Sequence, residues 1–533
     1  MNDTPPSRTD LVTLSVIAKS LEAIAGEMGT VLRKSAYSPN IKERLDFSCA
    51  IFDKNGNLVS QAEHIPVHLG ALFSTMEIVL NDFSMDSFQP HDVIVLNSPY
   101  AGGTHLPDIT VAMPIFIEGK IEFFVVNRAH HADIGGSVPG SMPGVSREIF
   151  AEGLIIPPVK LYDRGKENSS ILKLILVNVR TPEERLGDFR AQRAALLRGE
   201  ERIQELCYKF GMITVRSAIE ELMNLSEQAF EKEIQKLPDG EFAFEDYLDS
   251  NGIDDDPVKI KVRIKKIGKR IRLSFDGTAP QQTANCNTPR SVVYSAVYYV
   301  FRCLTDSSVP TNAGLFRQIK ISIPAGSLLD PHPPAAVSSG NVETSQRIVD
   351  VVFGALAQVL DIIPAASQGT MNNVSIGGVD LAGKPFSYYE TIAGGCGAAK
   401  GYDGISSHSH MTNTLNTPIE ALELAYPFRV RQYSFRPSSR GNGQYLGGDG
   451  LIREIEVLVD CTVSLQSERR IFSPYGLAGG QSGSKGLNSK INAQTGRKEK
   501  IPGRAIVHFK TGDILRVETP GGGGYGRPNG KSR

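Results

Sequence analysis

The sequence predicts a mixed α+β chain of several regions, and three observations carry that reading. Apolar residues recur at helical spacing from Leu11 to Ser35. Short apolar runs punctuated by Gly and Pro follow. A run that alternates apolar and basic residues begins at Val258.

Taken in order, Leu14, Ile17, Leu21, Ile24 and Met28 share one face of the first helix, and Pro39 lies just beyond its end. From there to about residue 165, the runs Cys49–Phe52, Val93–Leu96 and Glu122–Val126 read as strands. Residues 182–236 carry the Ala, Leu, Glu and Arg bias of good helix formers and read as a scaffold helix pair. The stretch 258–275, VKIKVRIKKIGKRIRLSF, alternates at period two around an Ile-Gly-Lys turn. That pattern predicts a hairpin with one face in water. Residues 291–305 and 343–361 read as largely buried helices. From about Val430 the chain is β-rich and glycine-rich, ending in ETPGGGGYG at 518–526. These shifts divide the chain into regions 1–238, 239–429 and 430–533, in line with about 150 residues per domain.

Composition excludes several function classes. The chain has 57 Lys and Arg against 58 Asp and Glu, a formal net charge of −1. That balance argues against a general nucleic-acid binder and against a polybasic membrane-surface protein. The 52 glycines follow no repeating period, so a collagen-like reading fails. No apolar run approaches the roughly 20 residues of a membrane helix. The start, MNDTPPSRTD, lacks a basic-then-apolar signal pattern, and the six cysteines form no CxxC pair. The expected setting is therefore a reducing cytoplasm. There is no GxxxxGK[ST] loop and no GxGxxG between a strand and a helix, so a nucleotide is expected elsewhere than on this chain.

Six of the ten histidines precede residue 132, which places the chemistry in the first region. Two stretches concentrate it, Asn97–Thr110 (NSPYAGGTHLPDIT) and Asn127–Gly144 (NRAHHADIGGSVPGSMPG). Each runs a strand into a turn bearing His and Asp, and strand ends can bring such side chains together around a divalent metal. The proposed ligands are Asp46, His105, Asp108 and one of His130 or His131, with Asp133 as a further ligand or as a group orienting an imidazole. Imidazole and carboxylate donors suit zinc, manganese or iron. His64 and His68, with Pro66 between them, read as pocket wall or as groups behind the ligands. Three polar stretches, 338–350, 365–378 and 388–420, read as ligand-lining. With His68, they supply the substrate-binding candidates Asn341, Glu343, Asn372, Glu390, His410 and Asn413. Asn341 or Thr344 is expected to cap the helix that follows. Cys396, with His408 or His410 as a base, is a weaker nucleophile candidate, since Gly-Cys-Gly equally reflects tight packing.

The chain resembles the hydantoinase B family, the B subunits of ATP-dependent hydantoinases and the C-terminal half of 5-oxoprolinases. The matching stretches are ERLDFSCAIFD (43–53), QAEHIPVHLGAL (61–72), GGTHLPDIT (102–110) and NRAHHADIGG (127–136). SSGNVETSQRI (338–348), GTMNN (369–373), HMTNTLNTP (410–418) and ETPGGGGYG follow in the family's order. The resemblance implies an A-type partner that binds ATP and phosphorylates the oxygen of an amide, lactam or ketone. The B-type chain then acts on the activated species with a divalent metal, held at the positions matching Asp46, His105, Asp108 and the His130/His131 pair. His130, His131 and Asp133 are the candidates for proton transfer. The same family supplies large subunits of acetone and acetophenone carboxylases. The expected function is therefore the B subunit of a cyclic-amide hydrolase, with a ketone carboxylase subunit or a non-catalytic scaffold as alternatives.

Overall fold

The structure, a computed structural model, describes residues 10–62 and 65–528. Helix α1 (Leu11–Ser35) opens it, capped by Asp10, whose carboxylate accepts the amides of Val12 and Thr13 at 3.1 and 3.0 Å. The short α2 (Pro39–Lys42) follows. Strands β1 (Phe47–Asp53), β2 (Leu58–Gln61), β3 (Val93–Leu96), β4 (Asp108–Ile117), β5 (Lys120–His130), β6 (Val159–Asp163) and β7 (Lys166–Glu167) come next. They form an antiparallel sheet in the order β2-β1-β5-β4-β3-β6-β7.

This sheet is covered on both faces, which explains its continuous apolar runs. Side chains alternate along a strand. Cys49, Ile51, Val111, Met113 and Val125 join a core with α1, α5 (Pro182–Phe210) and α6 (Met212–Gln235), while Ala50, Phe52, Ala112, Phe124 and Val126 pack with Leu72 and Met76 of α3 (Ala71–Asp82). Helix α4 (Ser169–Val177) lies between β7 and α5 in the chain and adds Leu172 and Ile175 to the first core.

A second sheet has the order β11-β10-β9-β8, from β8 (Gly240–Leu248), β9 (Val258–Ile267), β10 (Arg270–Ser274) and β11 (Ile319–Ser322). The period-two pattern falls on β9 and β10, a hairpin as its spacing predicts. Val258, Ile260, Val262 and Ile264 are buried in one core with α7 (Arg290–Cys303) and α8 (Ser345–Leu356). On the outer face, Lys261 and Arg263 meet Glu245 and Glu241 of β8 at 3.5 and 3.2 Å. The neighbouring strand thus answers the basic face. Helix α8 departs from its expected start. Neither Asn341 nor Thr344 caps it; a π-helical turn at Gly340–Thr344 runs straight into it. Thr344 instead donates its hydroxyl to the Cys286 carbonyl at 2.7 Å.

The remaining strands are β12 (Asn373–Val379), β13 (Pro385–Glu390), β14 (Phe428–Phe435), β15 (Leu451–Val457), β16 (Cys461–Gln466), β17 (Leu487–Ile491), β18 (Lys498–Ile501), β19 (Arg504–Phe509) and β20 (Ile514–Glu518), with α9 (Ile419–Ala425) before β14. They form antiparallel sheets β13-β12-β16-β19 and β14-β15-β20-β17-β18. One core serves both, with Val374, Tyr388, Val463 and Leu465 from the first and Ile455, Val457, Leu515 and Val517 from the second.

Beside these sheets lies a bundle of extended, glycine-rich segments. The amides of Gly521, Gly522, Gly523, Gly524, Tyr525 and Gly526 donate in turn to Ser484, Gly448, Ala366, Gln481, Tyr445 and Leu477. From Gly521 to Tyr525 successive residues therefore address three neighbouring segments in rotation, as in a three-residue extended helix, and Gly526 returns to the segment of residues 477–484. The segments touch backbone to backbone: a Cβ on Gly522 would lie 1.8 Å from the Cys396 carbonyl oxygen, and one on Gly395 would lie 1.9 Å from that of Gly448. No helix among the described residues is long and apolar enough to cross a membrane.

Candidate metal centre

The register of the first sheet builds the centre. Asp108 and His130 are direct partners across β4 and β5. Asp46, one residue before β1, accepts the His130 amide on its carbonyl at 3.0 Å. Three chemistry-bearing residues thus form a row across β1, β5 and β4 at one end of the sheet. His105 arrives from the turn before β4, where its carbonyl accepts the Asp108 amide at 3.1 Å.

Three donor atoms converge. His105 Nε2 and His130 Nδ1 lie 3.1 and 3.3 Å from Asp108 Oδ1, and 3.2 Å from each other. All three residues are buried. Nitrogen and oxygen ligands each about 2.1 Å from one shared ion stand roughly 3.0–3.4 Å apart. The three separations therefore fit a small divalent cation, and the N₂O donor set suits zinc, manganese or iron. The other oxygen of Asp108 is taken up by the Thr104 hydroxyl and by His68 Nε2 at 3.4 Å, so Oδ1 is left facing the imidazoles. Ser48 Oγ fixes His68 through Nδ1 at 2.9 Å. Asp46 stands beside this group without joining the convergence. Its Oδ2 is 3.9 Å from Arg44, and its charge acts on His130.

Burial opposes the charge of Asp108, yet the nearby imidazoles of His105 and His68 and the hydrogen bonds to it hold its carboxyl well below the usual range. Burial pushes His130 down. An ionised carboxylate and a neutral imidazole are the states a divalent cation needs. The second region closes the centre from above. Met411 accepts the Val67 amide at 3.1 Å, Leu415 donates to the Arg44 carbonyl at 3.0 Å, and Tyr389 lays its ring on His130.

The other expected residues are placed as follows. His131 follows His130 and, by strand alternation, turns to the opposite face. There its Nε2 meets Gln192 Oε1 at 3.0 Å beside Phe189, and burial pushes it down to about 4. Asp133 is consumed by the amides of Gly135, Gly140 and Arg180 and by the Arg180 guanidinium at 2.9 Å. Glu343 accepts Met371 N and Asn373 Nδ2 on Oε1, and burial pushes it up to about 8. Asn341 is buried, and its side-chain Oδ1 has no hydrogen-bond partner among the described residues. Asn372 is held by Gln368, the Ile392 carbonyl and Arg470, Glu390 by Arg453 at 3.1 Å, and His410 by Asp350 at 3.4 Å. Asn413 is exposed, on the loop that closes the centre. His64 lies outside the described residues. Burial raises the Cys396 thiol to about 11, the opposite of an activated nucleophile.

A second buried polar cluster escaped the sequence reading. Arg347 and Arg469 meet Asp246 at 3.0 and 2.8 Å, Arg469 meets Asp350 at 2.6 Å, and Arg504 meets Glu468 at 2.8 Å. Its one local signal is Arg347 and Asp350 within the otherwise apolar helix RIVDVVFGAL. Tyr389, Ser48 and Thr104 were missed at the candidate centre; Thr104 lies one turn before Asp108, whereas Ser48 and Tyr389 come near it only through the tertiary fold. A cleft of about 710 Å³ lies between α1 and residues 302–312, lined by Lys19, Glu22, Gln61 and Asn312, and no group of converging metal donors lines it among the described residues.

Comparison with known proteins bears on this geometry. The family model described as Hydantoinase B/oxoprolinase matches residues 10–528. A protein of Methanocaldococcus jannaschii of uncharacterized function is 43% identical over 523 residues, covering 97% of this chain and 91% of that one. 5-Oxoprolinase 1 of Arabidopsis thaliana is 40% identical over 544 residues, covering 97% of this chain but 42% of its own. The chain thus spans about two fifths of that relative. Among solved structures, the ATP-dependent caprolactamase from Pseudomonas jessenii superposes with a TM-score of 0.92 at 28% identity, over 98% of this chain and 93% of that one. An acetone carboxylase superposes with a TM-score of 0.90 at 18% identity, over 98% and 76%, a likeness of fold.

Proposed function

Because the chain belongs to the hydantoinase B/oxoprolinase family, we propose that it is the B-type component of an ATP-dependent enzyme that opens cyclic amides of the hydantoin or 5-oxoproline kind. The observation that carries this reading is the buried convergence of His105, Asp108 and His130 in a chain matched over nearly its whole length. The fused relatives are more than twice as long as the matched part, so a further component is part of the proposal: an A-type partner that binds ATP and phosphorylates the substrate oxygen. We place the protein in the cytoplasm, in keeping with six cysteines that are all free thiols.

An amide carbonyl resists attack because resonance shares its electrons with nitrogen. Phosphorylation of the oxygen removes that protection: water adds to the activated carbon, the ring C–N bond breaks as nitrogen takes up a proton, and hydrolysis releases phosphate and leaves a carboxylate. His105, Asp108 and His130 would hold the cation, with Asp46 beside them. When bound, the metal supplies Lewis-acid activation. Asp108 offers Oδ1 because Thr104 and His68 occupy Oδ2. Burial of these side chains keeps bulk water from the reacting centre. His130 is assigned as the ligand of the histidine pair; His131 and Asp133 hold the surrounding backbone and the α5 contact.

Two measurements test the reading. Elemental analysis of the purified protein is expected to give about one divalent metal per chain, lost in His105→Ala. A native protein with no stoichiometric metal removes the centre. Reconstitution with the ATP-binding partner is expected to consume hydantoin or 5-oxoproline with ATP and without bicarbonate. A requirement for bicarbonate with consumption of a ketone would make the chain a carboxylase subunit.

A further inference from the structure

A histidine that ligates a metal ordinarily donates its second ring nitrogen to a carboxylate or carbonyl, and that bond sets the rotation of the ring. His130 lacks this device. Its Nδ1 faces Asp108 and His105, while Nε2 is buried and finds no hydrogen-bond partner among the described residues. What touches the ring instead is Tyr389, stacked on it with centroids 4.4 Å apart and planes 10° from parallel.

Tyr389 is itself fixed at its far end. Its hydroxyl donates to Asn373 Oδ1 at 2.6 Å. Asn373 Nδ2 donates to Glu343 Oε1 at 2.8 Å and to the Gln466 carbonyl at 3.1 Å. The order of donors and acceptors is unambiguous: the two acceptors orient the Asn373 amide, so its oxygen must face the phenol. Tyr389 is on β13 and Asn373 begins β12, adjacent strands of one sheet, so the anchor is built into a rigid element. The Arg44 guanidinium lies 5.1 Å over the same ring and donates to the Tyr389 carbonyl at 3.0 Å, which ties it to the chain beside Asp46.

We propose that Tyr389 is the positioning residue for His130: its ring replaces the missing second hydrogen bond, and the Asn373–Glu343 pair holds the ring in place. The inference rests on the reading of His105, Asp108 and His130 as metal ligands. It says that a residue of the second region, more than 250 positions from the nearest ligand, tunes a centre whose ligands all come from the first.

The test compares Tyr389→Phe, which keeps the ring and removes the anchor, with Tyr389→Leu, which removes both. Metal affinity is read by competition with a chromophoric chelator. Loss of a supporting group around a metal ligand typically weakens binding about 10- to 100-fold. Tyr389→Leu is expected to fall in that range and Tyr389→Phe to weaken binding by a smaller factor. A second readout needs no metal. In metal-free protein labelled with ¹³C-histidine, and with His130→Gln supplying the assignment, the His130 ring protons are expected to be shifted upfield by the stacked phenol. The shift is retained in Tyr389→Phe and lost in Tyr389→Leu. A folded Tyr389→Leu protein with wild-type metal affinity overturns the proposal. So does a wild-type His130 without the ring-current shift, which decides the matter even if Tyr389→Leu fails to fold. If the wild-type protein binds no metal yet shows the shift, the metal reading fails and the stacking stands.

Discussion

The molecule holds two buried polar clusters, and they differ in how they are closed. Around Arg347, Arg469 and Arg504, guanidinium groups meet Asp246, Asp350 and Glu468 in equal number, with direct contacts of 2.6–3.0 Å. Around Asp108, two imidazoles and a carboxylate oxygen point at one another, and His105 Nδ1 and His130 Nε2 have no partner among the described residues. The first cluster balances its charges internally, although Arg347 Nε and Nη2, Arg469 Nε and Arg504 Nε find no hydrogen-bond partner among the described residues, and it joins β8, α8, β19 and the segment after β16. The second turns three donor atoms towards one point. Buried charge by itself therefore does not mark a site; convergence of like-oriented donors does.

The strongest way to break this comparison is to open the closed cluster. Arg469→Leu strips partners from both Asp246 and Asp350, and an uncompensated buried charge costs about 3–5 kcal/mol. Urea unfolding is expected to record that loss, and a change below about 1 kcal/mol would show that the cluster is not a closed structural unit. The metal centre is expected to behave differently. Metal at about 100 times its Kd stabilises the native state by about 2.7 kcal/mol. Removal of metal from the wild type should lower Tm accordingly, and His105→Ala should have little left to lose. An equal response of both proteins to a chelator would dissolve the contrast.

A smaller effect concerns Glu343, which lies between the clusters and faces Glu468, Arg470, Arg504 and Tyr389. Burial first, and the charge of Glu468, raise it from 4.5 to about 8. A carboxyl raised in the native state costs stability as pH climbs from 4.5 towards 8, where the unfolded chain ionises and the native one does not. Glu343→Gln should therefore gain about 1–2 kcal/mol over wild type at pH 8 and almost nothing at pH 4.5. The reverse order of gains in a pH series of melts would refute the assignment. His131 carries the opposite sign, since a depressed imidazole withdraws stability as pH falls from 6.5 towards 4. The smallest effect belongs to the exposed pair on the outer face of β9. Arg263→Ser should change stability by under about 1 kcal/mol, with a salt dependence to match.

Much of the fold was legible because it follows from local period. The α1 stripe, the β9–β10 hairpin and the apolar runs of β1, β3 and β5 all declare themselves at short range. The centre was legible only in part. His105 and Asp108 announce themselves within one turn, but the choice between His130 and His131 depends on which face of β5 looks towards α3. That in turn depends on register with β4. The row Asp46–His130–Asp108 requires the strand order β1-β5-β4, and no local pattern contains it. Tyr389 reaches His130 only because the chain returns from β13 to the first sheet. The closed cluster was invisible for a related reason: its charges are scattered over positions 246, 347, 350, 468, 469 and 504, and isolated charges read as surface.

The glycine bundle carries a consequence for the order of synthesis. Its segments near residues 366, 396, 445 and 480 emerge early, but each keeps a carbonyl or an amide open for Pro520–Gly526. These early segments cannot finish pairing among themselves, and their close spacing leaves no room for a substitute with side chains. The stretch 520–526 therefore acts as a clasp inserted last. A nascent chain stalled before it would leave those carbonyls and amides without their partners.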